Sequence, residues 1–270
     1  MSETRPSLAS WPRVALVDEE ALVRLVVPYV RWLHPDLVAQ VQEDNAQYLE
    51  DWQNILRQHA IPADLYVWTG SACAFPGVRR RSGKGDEKTQ SCLKFDQNGN
   101  RLAHRIWELL GASTKQFKAE RAGYELVHLF PHQPDEWRKL LAESDTELTY
   151  RLPMRWREQL ADWQTRLTQT GLPALFSNPA NMCFLPGSLV RPTDNASLLR
   201  LVLWQKAIKL YGIAALLPPG VAEPLAGWLS ELPEVAGLDW SECYHGSTNR
   251  MQHLIKERDR KLKHFQLAQP

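Results

Sequence analysis

Cysteine is scarce. Cys73, Cys92, Cys183 and Cys243 stand far apart in a chain of 270 residues, and no two of them form a C-x-x-C pair. That spacing argues against a structural zinc site and, in a chain this long, against a disulfide framework. The thiols read as reduced and mostly buried, as expected of a cytoplasmic protein. Long hydrophobic runs are also missing: the most apolar early stretch, LVRLVVPYVRWL, is interrupted by Arg24, Pro28 and Arg31, and nothing reaches membrane-spanning length. The opening residues MSETRPSLASWPR lack the apolar segment of a signal peptide. The formal net charge is only +1, so any surface for nucleic acid has to come from local clustering. Two enzyme signatures are absent as well. GKGDEKT lacks the G-x-x-x-x-G-K-[ST] spacing of a phosphate loop, and PGSLV is not the G-x-S-x-G elbow of a serine hydrolase. Cys73, in GSACAF, has no partner histidine marked for nucleophilic chemistry.

What is present is an ordinary globular composition, 44% hydrophobic and 23% charged, with an unusual eleven tryptophans that imply large packing or stacking surfaces. The pattern predicts a mostly helical α+β fold with a small antiparallel β component. Residues 18–59 read as helical, with Asp18 as a cap and a break at HPDL. ADLYVWTG (63–70) alternates like a strand, and SACAFPGVRRRSGKGDEKTQ has the glycine, proline and charge of a long exposed loop. SCLKFDQNG reads as a short strand, RLAHRIWELLG as a helix stopped by Gly111, and 134–170 as a helical region. ASLLRLVLWQKAIKLYG reads as a helix capped by Asp194 or Asn195 and closed by Gly212. Pro218–Pro224 reads as a linker, and the last segment as a basic helix. These breaks suggest three units, 1–115, 116–217 and 218–270.

The chemistry concentrates around GYELVHLFPHQP (123–134), where two of the eight histidines, His128 and His132, flank a turn at the end of an apolar strand. Further along, Asn178-Pro179-Ala180-Asn181 leads into the apolar run Met182-Cys183-Phe184-Leu185-Pro186, and a capped helix follows near Asp194. A strand ending in histidine, an asparagine turn into a second strand and then a helix resembles the ββα-metal finger of the HNH endonucleases. ELVHLFPH is similar to that family's A-A-H-I-x-P motif, and NMCFLPGSLVRPTD to its N-G-L-L-L-x-x-x-L-H-x-x-F-D motif. The resemblance implies a nuclease that hydrolyses DNA phosphodiester bonds with a divalent metal, Mg2+ or Mn2+, in bacterial restriction or phage defence. It assigns His128 as the general base that activates water and Asn181 as the residue that secures the finger. The family's second-motif histidine, a metal ligand, falls on Val190, so Asp194, Asn195 or His132 has to supply the missing ligands. A finger without them is a non-catalytic nucleic-acid- or protein-binding subunit, and a homodimer or a partner subunit is compatible with either form.

Each of these residues also has a plainer reading. His128 serves equally as a core histidine bonded to backbone at a strand end, Asn178 and Asn181 as turn residues, and Asp194 as a helix cap. Arg79, Arg80, Arg81 and Lys84 could clamp a nucleic-acid backbone, since guanidinium groups hold phosphates through two parallel bonds. They could as well form a solvated loop. Lys256, Arg260 and Lys263 on the last helix present the same choice between phosphate contact and a solvated face.

Overall fold

The structure, a computed structural model, describes residues 18–81, 92–96, 101–111, 123–142, 152–190, 198–232, 234–244 and 252–260. Among them the fold is mostly helical α+β, with two small sheets. Helix α1 (Glu19–Val26) starts at Asp18, whose carboxylate accepts the Glu20 amide at 3.0 Å. Helix α2 (Pro35–Gln47) begins at the expected break, with Pro35 at its first position and the His34 imidazole accepting from the Asp36 amide. Helix α3 (Leu49–Gln58) buries Trp52, Ile55 and Leu56.

Two departures from the sequence expectation follow. Ala63–Leu65 form a 3-10 turn and the rest of ADLYVWTG joins no sheet among the described residues. Trp68 instead donates its indole N–H to the Ala214 carbonyl, 2.7 Å away, and Tyr66, Val67 and Trp68 enter the core individually. Conversely, Val78–Arg80, expected within an exposed loop, form strand β1, paired in parallel with β2 (Lys94–Asp96) in the register Arg79↔Phe95. Strand β1 packs on the 3-10 segment Pro173–Ser177, a partner nearly a hundred residues away that local pattern cannot reveal.

Helix α4 (Arg101–Gly111) lies where its periodicity predicts. Strand β3 (Tyr124–His128) pairs antiparallel with β4 (Met182–Pro186), Tyr124 opposite Pro186 and His128 opposite Met182. Between them run helices α5 (Pro134–Leu141), α6 (Met154–Gln159) and α7 (Ala161–Gln169). Helices α8 (Leu198–Tyr211), α9 (Ile213–Leu216) and α10 (Pro219–Glu231) come next, and a last helix, α11, spans 252–260. The stretch expected as a proline-rich linker is therefore helical, with Pro224 inside α10 and buried. The missing proline N–H costs one helical bond, offset by the burial of Val221, Ala222, Leu225, Trp228 and Leu229. Gly227 lets α6 approach: a Cβ there would stand 2.3 Å from the Trp156 ring.

The β3–β4 pair divides two apolar clusters. Side chains alternate across a strand, so Val127, Cys183 and Leu185 join a large cluster running from Val23 to Leu229. Leu126, Met182 and Phe184 join a second one with Leu33, Trp107 and Leu254, where Trp107 stacks on Phe184 with ring centroids 4.4 Å apart. Burial on both faces is why β4 reads as an unbroken apolar run. All four cysteines are free thiols, and no helix among the described residues is long and apolar enough to cross a membrane.

Candidate active site at the end of strand β3

His128 is the last residue of β3, placed there by pairing with Met182 and by the apolar residues before it. Its Nε2 lies 3.0 Å from the Phe176 carbonyl. A carbonyl can only accept, so Nε2 carries the proton and the lone pair resides on Nδ1. No described residue bonds to Nδ1, and the residue as a whole is of intermediate burial. A tautomer fixed by backbone on one side, with an open lone pair on the other, is the arrangement a general base requires. The plainer expectation, a strand-end histidine bonded to backbone, describes the same hydrogen bond.

His132 stacks beside it. The two imidazole centroids are 4.6 Å apart, and each ring lies over Phe176 at 5.8 Å. His132 is 4% exposed. Its Nε2 meets the Gln133 side-chain amide at 3.3 Å, and its Nδ1 lies 3.4 Å from Glu136 Oε2 without an aligned hydrogen bond. That Glu136 oxygen already accepts the main-chain N–H groups of His132 and Gln133, forming the N-terminal cap of α5. The chain is packed closely here: Gly171, at φ +76°, passes His132 so tightly that a Cβ would stand 2.5 Å from the His132 carbonyl oxygen.

Asn181, fully buried, clamps the turn after His128. Its Oδ1 accepts the Phe130 amide at 2.7 Å, and its Nδ2 donates to the carbonyls of Phe130 and Leu175, both at 3.1 Å. Its own carbonyl accepts from Leu129 at 3.0 Å. Asn178 is a turn residue, accepting from the Ala180 amide and donating to the Ala215 carbonyl.

The structure thus brings His128, His132 and Asn181 together. Asp194, Asn195, Lys84 and Lys263 lie outside the described residues. The arginines of β1 divide. Arg79 is 4% exposed and donates to the Thr170 carbonyl, so it tethers β1 to the end of α7. Arg80 and Arg81 keep partial exposure. On α11, Lys256 and Arg260 are exposed, whereas Arg258 points inward. Val190 packs, partly buried, against the large apolar cluster. Among the described residues no group of three His, Cys, Asp or Glu side chains could hold a metal ion. The described side chains therefore do not by themselves furnish a ligand set.

Two contributors escaped the sequence reading. Phe176 supplies both the carbonyl and the ring under the imidazoles. Arg200, on α8, donates through Nε to the Leu129 carbonyl at 3.3 Å, and Trp204 donates to the same oxygen at 2.7 Å. A lone arginine inside the apolar run SLLRLVLW was the available signal for the second; for Phe176 the sequence carries none.

Burial pushes the His128 imidazole down to about 3, helped by His132 and opposed by the Phe176 carbonyl and Glu136. Burial likewise holds His132 at about 3, reinforced by the cations of Arg80, Arg79 and Arg200. Both rings are thus neutral at pH 7, and they have the sign of groups that bind protons in the unfolded state first. Stability is full above the ordinary histidine value of 6.5 and falls as pH drops from there toward 3. The expected loss is about 1 kcal/mol per histidine over the first pH unit below 6.5. Denaturant unfolding of the wild type and of His132→Phe across that window checks it: the variant has the shallower slope, and equal slopes would refute the assignment.

Comparison of the chain with family models, with curated proteins and with solved structures returns no match.

Proposed function

We propose that the chain is an HNH-type nuclease that hydrolyses DNA phosphodiester bonds, with His128 as general base and Asn181 as the residue that holds the base in place. The observation that carries this reading is the His128 tautomer. Its Nε2 proton is committed to the Phe176 carbonyl, and its Nδ1 lone pair is open at the end of an antiparallel strand pair that a helix follows. In the proposed step a water oxygen attacks phosphorus as its proton passes to Nδ1, the bond from phosphorus to the leaving oxygen breaks, and that oxygen is protonated by solvent. A base held near 3 is weak in the empty protein, but a phosphate anion beside the ring favours imidazolium and so strengthens it as substrate arrives.

Asn181 contributes at one remove, because its three side-chain bonds set the position of the Phe130 backbone, two residues past the base. The proposal includes a divalent cation, Mg2+ or Mn2+, which when bound stabilises charge developing on the phosphate; the sequence candidates Asp194 and Asn195 are the residues that would complete its ligand set with His132. Lys256 and Arg260, exposed on α11, suit the DNA backbone, and a role in restriction or phage defence accompanies the family reading.

Purified protein with Mg2+ or Mn2+ should nick plasmid DNA, and His128→Ala should lower the rate at least a hundredfold with an unchanged circular dichroism spectrum. Nicking that persists in His128→Ala would remove the base assignment. A second reading, a non-catalytic binding subunit, is favoured by one feature, the apolar Val190 packed where the family places a ligand histidine. It predicts salt-dependent DNA binding without nicking.

A further inference from the structure

The hydrogen bond that fixes the His128 tautomer ends on the carbonyl of Phe176, in a peptide unit that is fastened on both sides. A peptide group is planar, so the direction of that carbonyl follows from how Phe176 and Ser177 are held. Upstream, the Leu175 carbonyl accepts from Asn181 Nδ2 at 3.1 Å. Downstream, the fully buried Ser177 grips the chain that leads into β1. Its Oγ accepts the Phe75 amide at 3.1 Å and donates to the Phe75 carbonyl at 3.3 Å. Its backbone carbonyl accepts the Ala74 amide at 2.9 Å. Cys73 Sγ lies 3.3 Å from the same hydroxyl. The single hydroxyl proton is already committed to Phe75, and burial pushes the Cys73 thiol up to about 11, so the thiol keeps its proton and donates. The gripped chain is itself held, because Asn45 donates to the carbonyls of Ser71 and Cys73 at 2.7 and 3.0 Å.

A buried hydroxyl with one donor and two acceptor contacts inside the protein has no capacity left for water or substrate. Its bonds lead instead to the peptide whose carbonyl holds the base. We propose that Ser177 is a positioning residue for His128: by anchoring the Phe176–Ser177 peptide to Cys73–Phe75, it keeps the Phe176 carbonyl aimed at Nε2 and leaves the lone pair on Nδ1. Resting on the nuclease reading, this extends the catalytic frame to a serine outside both family-like motifs. It also makes Cys73 a buried hydrogen-bond donor to that frame.

The test follows the Nε2 proton of His128 by nitrogen-edited NMR of the full chain at neutral pH. In the wild type this proton should exchange slowly with water. Ser177→Ala should speed the exchange about tenfold, the size expected of one lost hydrogen bond. The same variant should lower the rate constant for plasmid nicking about tenfold at unchanged KM. Leu229→Ala, a core truncation in α10, lowers stability by another route and should leave the Nε2 proton as in the wild type. Cys73→Ala should speed exchange about threefold, and it carries the test should Ser177→Ala not fold. A wild-type proton already in fast exchange, exchange unchanged in both Ser177→Ala and Cys73→Ala, or an equal response to Leu229→Ala would overturn the assignment. Nicking separates the two ideas. Faster exchange in Ser177→Ala of a protein that never nicks keeps the positioning role and removes the nuclease; wild-type nicking and exchange in Ser177→Ala keep the nuclease and remove the positioning role.

Discussion

Arg258→Met lowers the stability of the protein by about 3–5 kcal/mol, and adding Asp44→Leu to it restores much of the loss. Arg258, 1% exposed on α11, places Nη1 2.9 Å from Asp44 Oδ2 and donates through Nη2 to Asn45 Oδ1 at 2.6 Å. Asn45 in turn donates to the carbonyls of Ser71 and Cys73, so one guanidinium ties the last helix to α2 and to the chain leading into β1. Burial raises the Asp44 carboxyl above its ordinary range in spite of the arginine, and burial lowers Arg258 in spite of the aspartate. Both shifts say that desolvation outweighs the mutual attraction. The charge pair also lacks an aligned hydrogen bond at Nη1. Such a pair adds little net stability over an apolar replacement, yet removing one partner strands the other charge. Urea unfolding of the two single variants and the double variant measures this. A single variant within about 1 kcal/mol of wild type, the size of an exposed pair, would mean that the network is solvated.

Asn181→Ala is expected to cost about 3–5 kcal/mol, because it strips partners from the Phe130 N–H and from two carbonyls in a fully buried turn. Each orphaned buried group costs about 1–3 kcal/mol, and the space left behind adds to that. Asn181→Asp should fare no better. One carboxylate oxygen can still accept from Phe130, but the other faces the carbonyls that Nδ2 served, and the charge is buried. Thermal unfolding provides the measurement, with the His128 imidazole resonances as a second readout, since loosening the turn moves the base. If Asn181→Ala unfolds at the wild-type temperature yet abolishes nicking, the residue touches substrate and the clamp is not its role. These expected losses concern the folded frame; the base assignment stands or falls separately on His128→Ala.

Much of the site was legible in the residues themselves. ELVH and MCFLP carry enough β-branched and apolar character to be strands, NPAN has the turn chemistry to precede one, and Asn181 beside His128 follows from the pairing that those strands make. The cap of α5 was equally open to reading, since Gln-Pro-Asp-Glu places a glutamate three residues after the capping position. The errors lie where a distant surface overrides the local pattern. Gly-Val-Arg-Arg-Arg has a loop's composition, yet Val78–Arg80 are a strand because Pro173–Ser177 cover them. Tyr66, Val67 and Trp68 alternate like a strand, but each finds a separate place in the core. Pro224 reads as a helix breaker, but the apolar face of α10 outweighs one missing hydrogen bond.

By itself the sequence determined the helical majority, the antiparallel pair with its terminal histidine, and the reduced state of four scattered thiols, because periodicity, turn residues and spacing act over a few residues. Only the tertiary structure decided which nitrogen of His128 is free, that Asn181 spends its whole amide on backbone, that Arg79 is buried and tethered to the Thr170 carbonyl, and that Arg258 is buried. Each of these depends on a carbonyl, carboxylate or ring brought from far along the chain, and hydrogen bonding and desolvation are settled by neighbours in space.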